Sequence, residues 1–203
     1  MRYFLISGMV LLLMACGSYP KKNNFQKVEK ATMDIINPYF SDRARDYVYK
    51  AKITFADKSF GGLFVVKKLD EDQYRVVFTT EMGNKLLDFS FEGNTFKVNY
   101  ILEEMDKKIL IDLLRKDFYV LIQERPTVIH QYTKQGDTTL LETRAGKGTY
   151  FYYLYDNKLQ KVIGAGNGKE KTIYDFLEID GYLAKEIDII HKRIKLSIHL
   201  KAI

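Results

Sequence analysis

The chain has 203 residues, of which 46% are hydrophobic, 29% are charged and only 3 are proline. This composition excludes a disordered or fibrous chain, and the length suits one folded domain with a sizeable core. The net charge of +6 is interleaved with acidic residues along the whole chain, without a basic tail or stripe, so nucleic-acid binding is not expected. The single cysteine excludes an internal disulfide and zinc clusters built from paired thiolates.

The first twenty residues carry the strongest signal. Arg2 precedes an apolar run over 4–14, which is too short to span a bilayer but fits a secretory signal. The run ends at Leu13-Met14-Ala15-Cys16, which resembles the lipobox of bacterial lipoproteins. The resemblance implies that residues 1–15 are a signal peptide, that Cys16 is acylated and that 16–23 is a polar tether. The alternative is an ordinary signal sequence with a chance cysteine.

The residues after Cys16 bear on location. An Asp directly after the cysteine, which acts as an inner-membrane retention signal in enteric-type bacteria, is lacking, and so is the acidic cluster that resembles the surface-export signal of Bacteroidetes lipoproteins. By resemblance, we expect the protein to be anchored in the outer membrane through acylated Cys16 and to face the periplasm.

Two helices are predicted in the remaining chain. Phe25, Val28, Thr32, Ile35 and Ile36 recur at helical spacing before a proline, which predicts an amphipathic helix over 24–37. A second helix is predicted over 106–121. Its start is indicated by an N-cap at Asp106, and its apolar stripe is formed by Ile109, Leu110, Leu113, Leu114 and Phe118.

Elsewhere apolar residues alternate with a period of two, which is typical of strands. The alternating runs are Tyr47 to Phe55, Tyr74 to Phe78, Leu87 to Phe91, Phe96 to Tyr100 and Ile194 to Leu200. Turn signals such as Gly93-Asn94 and Asn167-Gly168 separate them and indicate an antiparallel meander. The predicted fold is mainly β, a single domain over 24–203. It is a strongly curved, unclosed antiparallel barrel of about eleven strands, five before the second helix and six after it, with helices on the concave side.

Three segments carry a family resemblance. They are Gly61-Gly62-Leu63-Phe64-Val65-Val66-Lys67-Lys68, Tyr74-Arg75 and Asp88-Phe89-Ser90-Phe91-Glu92-Gly93-Asn94-Thr95-Phe96. This pattern resembles the amino-terminal half of LolA- and LolB-type proteins, which pass lipoproteins across the periplasm inside an unclosed barrel lidded by helices. The resemblance covers residues 47 to about 120.

The resemblance implies a protein that binds or handles the acyl chains of lipids or lipoproteins in a hydrophobic cavity. The implied ligand-binding residues are Tyr74, Phe89, Phe91, Phe96 and Tyr100, with Leu110, Leu113 and Leu114 as the lid. LolB-type receptors carry a protruding apolar loop between the third and fourth strands, and here Met82 is the single apolar tip of that connection, the expected membrane contact. The alternative is a non-catalytic interaction subunit of an envelope assembly with the same fold and a solid core.

Catalytic and metal-binding arrangements are not expected. His191 and His199, read as one strand, would lie about 26 Å apart, and His130 has no ligand partner at suitable spacing, so all three are predicted to be surface histidines. The glycine-rich segment 164–169 lacks the spacing of a phosphate loop. Glu103, Glu104 and Asp106 are explained by their position before a helix. No enzyme activity, metal or cofactor is therefore predicted.

The segment 150–155 is apolar on both faces, with Tyr150, Tyr152 and Leu154 on one and Phe151, Tyr153 and Tyr155 on the other. Two interpretations stay open: a strand buried on both faces, or the wall of a cavity whose phenolic hydroxyls meet a lipid headgroup.

Overall fold

A computed structural model describes residues 17–134 and 138–203. These residues form thirteen strands, two α-helices and one turn of 3₁₀ helix (Glu103–Met105). The helices are α1 (Tyr19–Lys22) and α2 (Lys108–Ile122). The strands are β1 (Gln26–Lys27), β2 (Asp46–Phe55), β3 (Lys58–Asp70), β4 (Gln73–Thr79), β5 (Lys85–Glu92), β6 (Thr95–Ile101), β7 (Val128–Thr133), β8 (Thr138–Ala145), β9 (Gly148–Tyr155), β10 (Lys158–Gly166), β11 (Lys169–Asp180), β12 (Leu183–His191) and β13 (Leu196–Ala202).

All thirteen strands belong to one antiparallel sheet, in the order β1-β7-β8-β9-β10-β11-β12-β13-β2-β3-β4-β5-β6. Two meanders, β2 to β6 and β7 to β13, are joined where β13 pairs with β2, with Ile198 opposite Ile53. The sheet does not close, because β1 and β6 form its two edges. The mainly β, antiparallel, unclosed architecture is confirmed. The strand count exceeds the expected eleven because β1 was not predicted and the turn at Gly146, where φ is +56°, separates β8 from β9.

Successive turns alternate between two ends of the sheet, because neighbouring strands run antiparallel. The turns β2–β3, β4–β5, β8–β9, β10–β11 and β12–β13 lie at one end, which we call the Gly168 end. The turns β3–β4, β5–β6, β9–β10 and β11–β12 lie at the other, the Tyr182 end.

The sheet curls around α2. Asp117 accepts hydrogen bonds from Tyr174 on β11 and His191 on β12, while the next residue, Phe118, packs against Phe64 on β3 and Phe89 on β5, with ring centroids 5.1 and 6.2 Å away. Strands β11 and β5 are six places apart in the sheet, about 29 Å if the sheet were flat. A helix about 10 Å wide reaches both only because the sheet wraps around it.

Two apolar clusters lie on opposite faces of the sheet. The larger one is on the concave face with α2, and the smaller one is on the convex face around β7 to β10. Strand β9 lies between them, with Tyr150, Tyr152 and Leu154 in the concave cluster and Phe151 and Tyr153 in the convex one. The interpretation of this segment as a strand buried on both faces is therefore confirmed over 150–154, whereas Tyr155 is 38% exposed.

The helix predicted over 24–37 is wrong. After β1, residues 28–45 run without regular secondary structure as a strap along the sheet, and Ile35, Tyr39 and Phe40 are each 1% exposed in the concave core. Backbone N–H groups of the strap form hydrogen bonds with residues that are distant in the sequence, not with carbonyls one helical turn away. Val28 donates its N–H to the Gln131 carbonyl, and Thr32 donates its N–H to the Gln131 side chain at 2.9 Å.

Asn37 fixes the strap to α2. Its side-chain amide donates to the carbonyl of Leu121 at 2.8 Å, and its backbone N–H donates to the carbonyl of Glu124. Carbonyls in the last turn of a helix have no partner within the helix, so the strap supplies one. The extended strap makes these hydrogen bonds and buries the side chains of Ile35, Tyr39 and Phe40 in the concave core. A helix at this place would point these side chains in other directions.

The second predicted helix is confirmed as α2. It begins at Lys108 and not at Asp106, because a 3₁₀ turn over Glu103–Met105 precedes it. Within residues 17–134 and 138–203, no helix combines the length and the apolar character required to cross a membrane.

Candidate functional site

The concave face brings together most of the residues predicted to bind ligand. Phe96 packs against Phe89 and Phe91 with ring centroids 5.1 and 5.2 Å apart, and Leu110 and Leu114 of α2 are fully buried in the same cluster. Leu113 is partly buried against this cluster, and Tyr74 belongs to it. The side chains of sheet and helix are in direct apolar contact along this face.

Tyr100 is the exception. A shift of register between Asp88 and Phe89 places Tyr100 opposite Asp88, on the convex face, where it is 42% exposed and lies under the Lys85 ammonium. The expectation that Tyr100 faces the concave side is therefore wrong. The β-bulge reverses the alternation that the sequence displays, because one extra residue moves every later side chain to the other face.

The hydroxyl of Tyr74 is buried without a hydrogen-bond partner among the described residues. The side chain is 5% exposed, and burial raises the pKa of Tyr74 well above its usual value. The Lys68 ammonium lies 5.9 Å from the centroid of the Tyr74 ring and forms an ion pair with Glu124 at 2.5 Å. A buried hydroxyl without a partner costs about 1–3 kcal/mol, so this atom calls for an explanation.

An open pocket of about 490 Å³ lies nearby, at the Tyr182 end of the sheet. Its floor includes Tyr47, whose ring packs on Phe40 of the concave core and whose hydroxyl accepts the backbone N–H of Asp42 at 3.0 Å. Burial raises the pKa of the Tyr47 hydroxyl. The pocket is lined by Ser41, Asp42, Arg45, Tyr47, Asp180 and Tyr182. Tyr47 therefore belongs both to the pocket lining and to the concave cluster.

A polar chain buried under α2 was not predicted. Thr172 lies 3.3 Å from His191 Nδ1, His191 Nε2 lies 2.8 Å from Asp117 Oδ2, and the Tyr174 hydroxyl donates to Asp117 Oδ1 at 3.0 Å. Burial and the neighbouring carboxylate raise the pKa of Tyr174. The prediction that His191 is a surface histidine is wrong, since its side chain is 7% exposed.

These contacts link a hydroxyl, an imidazole and a carboxylate, a set of groups that was not expected from the sequence. Asp117 is also bound by Tyr174, and Thr172 is 8% exposed within a paired strand. The contacts tie α2 to β11 and β12. One signal for Asp117 was present in the sequence, because it lies seven residues after Leu110 and three after Leu114, on the apolar face of the helix.

On the convex face, Asp88 is 1% exposed and carries several charge-assisted contacts. Arg75 donates two hydrogen bonds to its carboxylate at 3.0 and 2.8 Å, and Lys85 donates one at 2.7 Å. These cations hold the pKa of Asp88 well below its usual range, with the Arg75 contact the largest cause. Asp88 belongs to a segment of the family resemblance, and its place here is structural.

The other predicted residues are separate from this interior. Met82 is 91% exposed in the β4–β5 turn. His130 lies 3.2 Å from Glu142 and His199 lies 2.6 Å from Asp188, so each has a carboxylate partner on the adjacent strand. Across the part of the chain that the structure describes, no group of three potential ligands could hold a metal ion. Cys16 lies outside the described residues.

No protein-family model matches the chain, and no curated protein matches it. Among solved structures, the chain is similar to a DUF1329 family protein from Desulfovibrio piger, at 10% sequence identity and a TM-score of 0.42. The match covers 78% of this chain and 83% of that chain.

Proposed function

We propose that this chain is an outer-membrane-anchored, periplasm-facing lipoprotein that receives or shields acyl chains inside a half-barrel of the LolA/LolB type. The lipobox-like segment ending at Cys16 supports the anchor, and the motifs over residues 61–96 support the family. Catalysis is not part of the proposal.

The observation that carries this proposal is the hydroxyl of Tyr74, which is buried beside an aromatic interior and has no hydrogen-bond partner in the described part of the chain. An acyl chain is apolar along its length and polar at its carbonyl or headgroup end. The rings of Phe89, Phe91 and Phe96 suit the chain, and the Tyr74 hydroxyl, beside the Lys68–Glu124 pair, suits a polar group.

In this mechanism the acyl chain displaces α2 side chains from the sheet. Leu110 and Leu114 contact the concave face, and an entering chain exchanges their apolar contacts for its own. Complete burial of a long acyl chain in a dry, preformed cavity would be worth about 0.8 kcal/mol per methylene, which would prevent release. Displacement of the lid offsets most of this gain, so the transfer is reversible.

The test is native mass spectrometry of the purified protein, combined with a fluorescent fatty acid. We expect co-purified lipid, and binding of the probe that a lipopeptide displaces. Tyr74→Phe should weaken probe binding, while Tyr49→Phe, a matched change to a hydroxyl that donates to Ala184, should leave it unchanged. Absence of both co-purified lipid and probe binding would remove the lipid-handling function.

A second experiment concerns the anchor. We expect replacement of Cys16 by Ala to abolish the acyl mass increment and to move the protein out of the membrane fraction. Unchanged fractionation and unchanged mass would contradict acylation.

Met82 gives a third test. If this exposed residue contacts the bilayer during delivery, Met82→Glu impairs transfer of a bound lipopeptide into vesicles and leaves fatty-acid binding intact. Loss of both activities, or of neither, would show that the β4–β5 turn has no role in insertion.

One observation favours a second candidate function, an interaction subunit of an envelope assembly. The concave cluster is continuous, and Phe64, Phe78, Phe89, Leu114 and Phe118 are each fully buried in it, which is the packing of a solid core. In that case the same fold presents its basic surface to protein partners. Crosslinking in intact cells that captures a stoichiometric envelope protein, with no co-purified lipid, would support this candidate over the first.

A further inference from the structure

The N-terminal residues expected to form a tether are docked on the domain. Tyr19 of α1 packs its ring 4.8 Å from that of Phe151 on the convex face, and its hydroxyl lies 2.7 Å from that of Tyr153 and donates to Glu170. Tyr19 is 5% exposed. The chain is therefore held to the domain at Tyr19, which follows position 16 by only three residues in the sequence.

Docking places Gly17, the first described residue, at the Gly168 end of the sheet. A methyl group added to Gly168, in the β10–β11 turn, would lie 2.5 Å from the carbonyl oxygen of Gly17 and 2.9 Å from the Lys22 ammonium. Three residues reach at most about 11 Å, so an acylated Cys16 holds this end of the domain close to the bilayer.

The same end gathers positive charge from turns that are far apart in the sequence. The turns β8–β9, β10–β11 and β12–β13 are neighbours, about 10 Å from one to the next, close to the Debye length at physiological salt. They and the adjoining N-terminal segment contribute a set that we call the basic patch: Lys22, Lys147, Lys169, Lys171, Lys192 and Arg193.

The charge of the basic patch is not neutralised within the described part of the molecule. All six side chains are exposed, and none forms a salt bridge with another described residue. Glu170 is the acidic residue within these turns, and it accepts a hydrogen bond from Tyr19. The acidic residues elsewhere at this end lie on the β2–β6 half of the sheet: Asp57, Glu81, Glu103, Glu104 and Asp106.

The Tyr182 end has the opposite character. Its turns carry mainly carboxylates, namely Asp70, Glu71, Asp72, Glu92, Asp156 and Asp180. Two of them are paired with cations, Asp70 with Arg43 at 3.1 Å and Asp180 with Lys185 at 3.0 Å. The β7–β13 half of the Gly168 end is therefore basic, whereas the turns of the Tyr182 end are mainly acidic.

We infer that the basic patch is a membrane-docking surface that binds anionic lipid headgroups and holds the Gly168 end flat on the bilayer. This inference rests on the lipid anchor of the proposed function, because acylated Cys16 supplies the attachment and the basic patch supplies the orientation. Met82, in the β4–β5 turn, lies at the same end. Each lysine near an anionic surface strengthens binding about fivefold, so six cations suffice to select one orientation.

The experiment uses the acylated protein in vesicles. A fluorophore is attached through Met82→Cys at the Gly168 end, or through Tyr182→Cys, 76% exposed at the other end. Energy transfer to an acceptor on lipid headgroups reports the height of each label. With 30% phosphatidylglycerol we expect at least twofold more transfer from position 82 than from position 182, and a smaller difference in phosphatidylcholine alone or in 1 M salt.

Charge reversal tests the patch itself. Lys147→Glu, Lys169→Glu and Lys192→Glu together should abolish the difference between the two labels. A control that changes net charge equally replaces Lys27, Lys97 and Lys158, which are exposed but lie outside the patch, with Glu, and it should retain the difference. Circular dichroism of both variants confirms that the fold is kept.

The outcomes separate the two ideas. Equal transfer from both labels in anionic vesicles, or equal effects of the two triple variants, overturns the docking surface. Fatty-acid binding of the same variants should be unchanged, so failure of docking with intact binding leaves the proposed function in place. An unmodified Cys16 overturns the anchor, and the docking surface with it.

Discussion

Removal of the Asp117 carboxylate should be among the most destabilising single changes in this domain. Asp117 accepts hydrogen bonds from Tyr174 and His191, and both Asp117 and Tyr174 are 1% exposed. Asp117→Ala leaves two buried donors without an acceptor. Each such group costs about 1–3 kcal/mol, so for the two donors together we expect a loss of about 3 kcal/mol.

The measurement is urea unfolding followed by circular dichroism. With a slope of about 2 kcal/mol per molar urea, the midpoint should fall by about 1.5 M. Asp117→Asn keeps the volume and one acceptor oxygen, so its cost should be about half as large. Asp112→Ala, on the same helix but outside this network, serves as the control and should cost less than 1 kcal/mol.

A double-mutant cycle measures the coupling between Asp117 and Tyr174 directly. Tyr174→Phe removes one of the two donors, so Asp117→Ala should cost less in the Tyr174→Phe background than in the wild type. Additive effects, or an Asp117→Ala midpoint equal to that of the Asp112→Ala control, would refute the view that Asp117 fastens α2 to β11 and β12.

Substitutions at three further positions should change the stability of the domain by predictable amounts. Gly62→Ala should destabilise by several kcal/mol, because its methyl would fall 1.8 Å from a backbone oxygen of β4, whereas Gly61→Ala meets no atom within 4 Å and should be neutral in thermal unfolding. Asp88→Asn should lower the free energy of unfolding by about 2 kcal/mol at pH 7. Because the pKa of Asp88 is lowered in the folded state, this loss is complete above the unfolded pKa of about 4 and becomes smaller as the pH falls below it. Urea titrations at pH 7 and pH 3 measure the difference. Without ligand, Tyr74→Phe should be neutral or stabilising by up to about 1 kcal/mol, whereas Tyr49→Phe should cost about 1 kcal/mol.

The hairpins could be predicted from the sequence because their determinants are local. Asn167 and Gly168 have φ values of +54° and +66°, as the expected type I′ turn requires, and Asp156 and Asn157 form a similar turn. Helix α2 followed from its apolar stripe in the same way. In each case the residues that decide the conformation are within a few positions of one another.

The strap over 28–45 shows where local pattern fails. Four apolar residues and one threonine happen to match helical spacing, but the contacts that determine the conformation come from β7 and from the end of α2, about 85 to 100 residues away. The pairing of β13 with β2 depends in the same way on distant partners. The bulge that turns Tyr100 outward is set by the register with β5, which a single strand does not reveal.

The site was predictable in part for a similar reason. The aromatic residues of the concave face could be predicted, because the alternation of apolar and polar residues within each strand shows which side chains share a face. The basic patch could not, because each separate turn contributes only one or two of its charges, and along the sequence they are interleaved with acidic residues. Only the topology, which places alternate turns at the same end, converts that even distribution into a patch.

The two proposals together assign opposite ends of the sheet to opposite surroundings. Strand β3 has 13 residues and would span about 43 Å when straight, so the pocket at the Tyr182 end lies tens of ångströms from a bilayer held at the Gly168 end. If both proposals hold, an acyl chain arriving from the periplasm would meet the pocket first, near Tyr74, and would reach the membrane by passing along α2 toward Met82. Uptake and delivery are therefore expected to be separable steps. Tyr74→Phe should slow loading from a fluorescent fatty acid without changing vesicle docking, and Met82→Glu should slow release into vesicles without changing loading. A single variant that alters both rates equally would place entry and exit at the same end, and would contradict this arrangement.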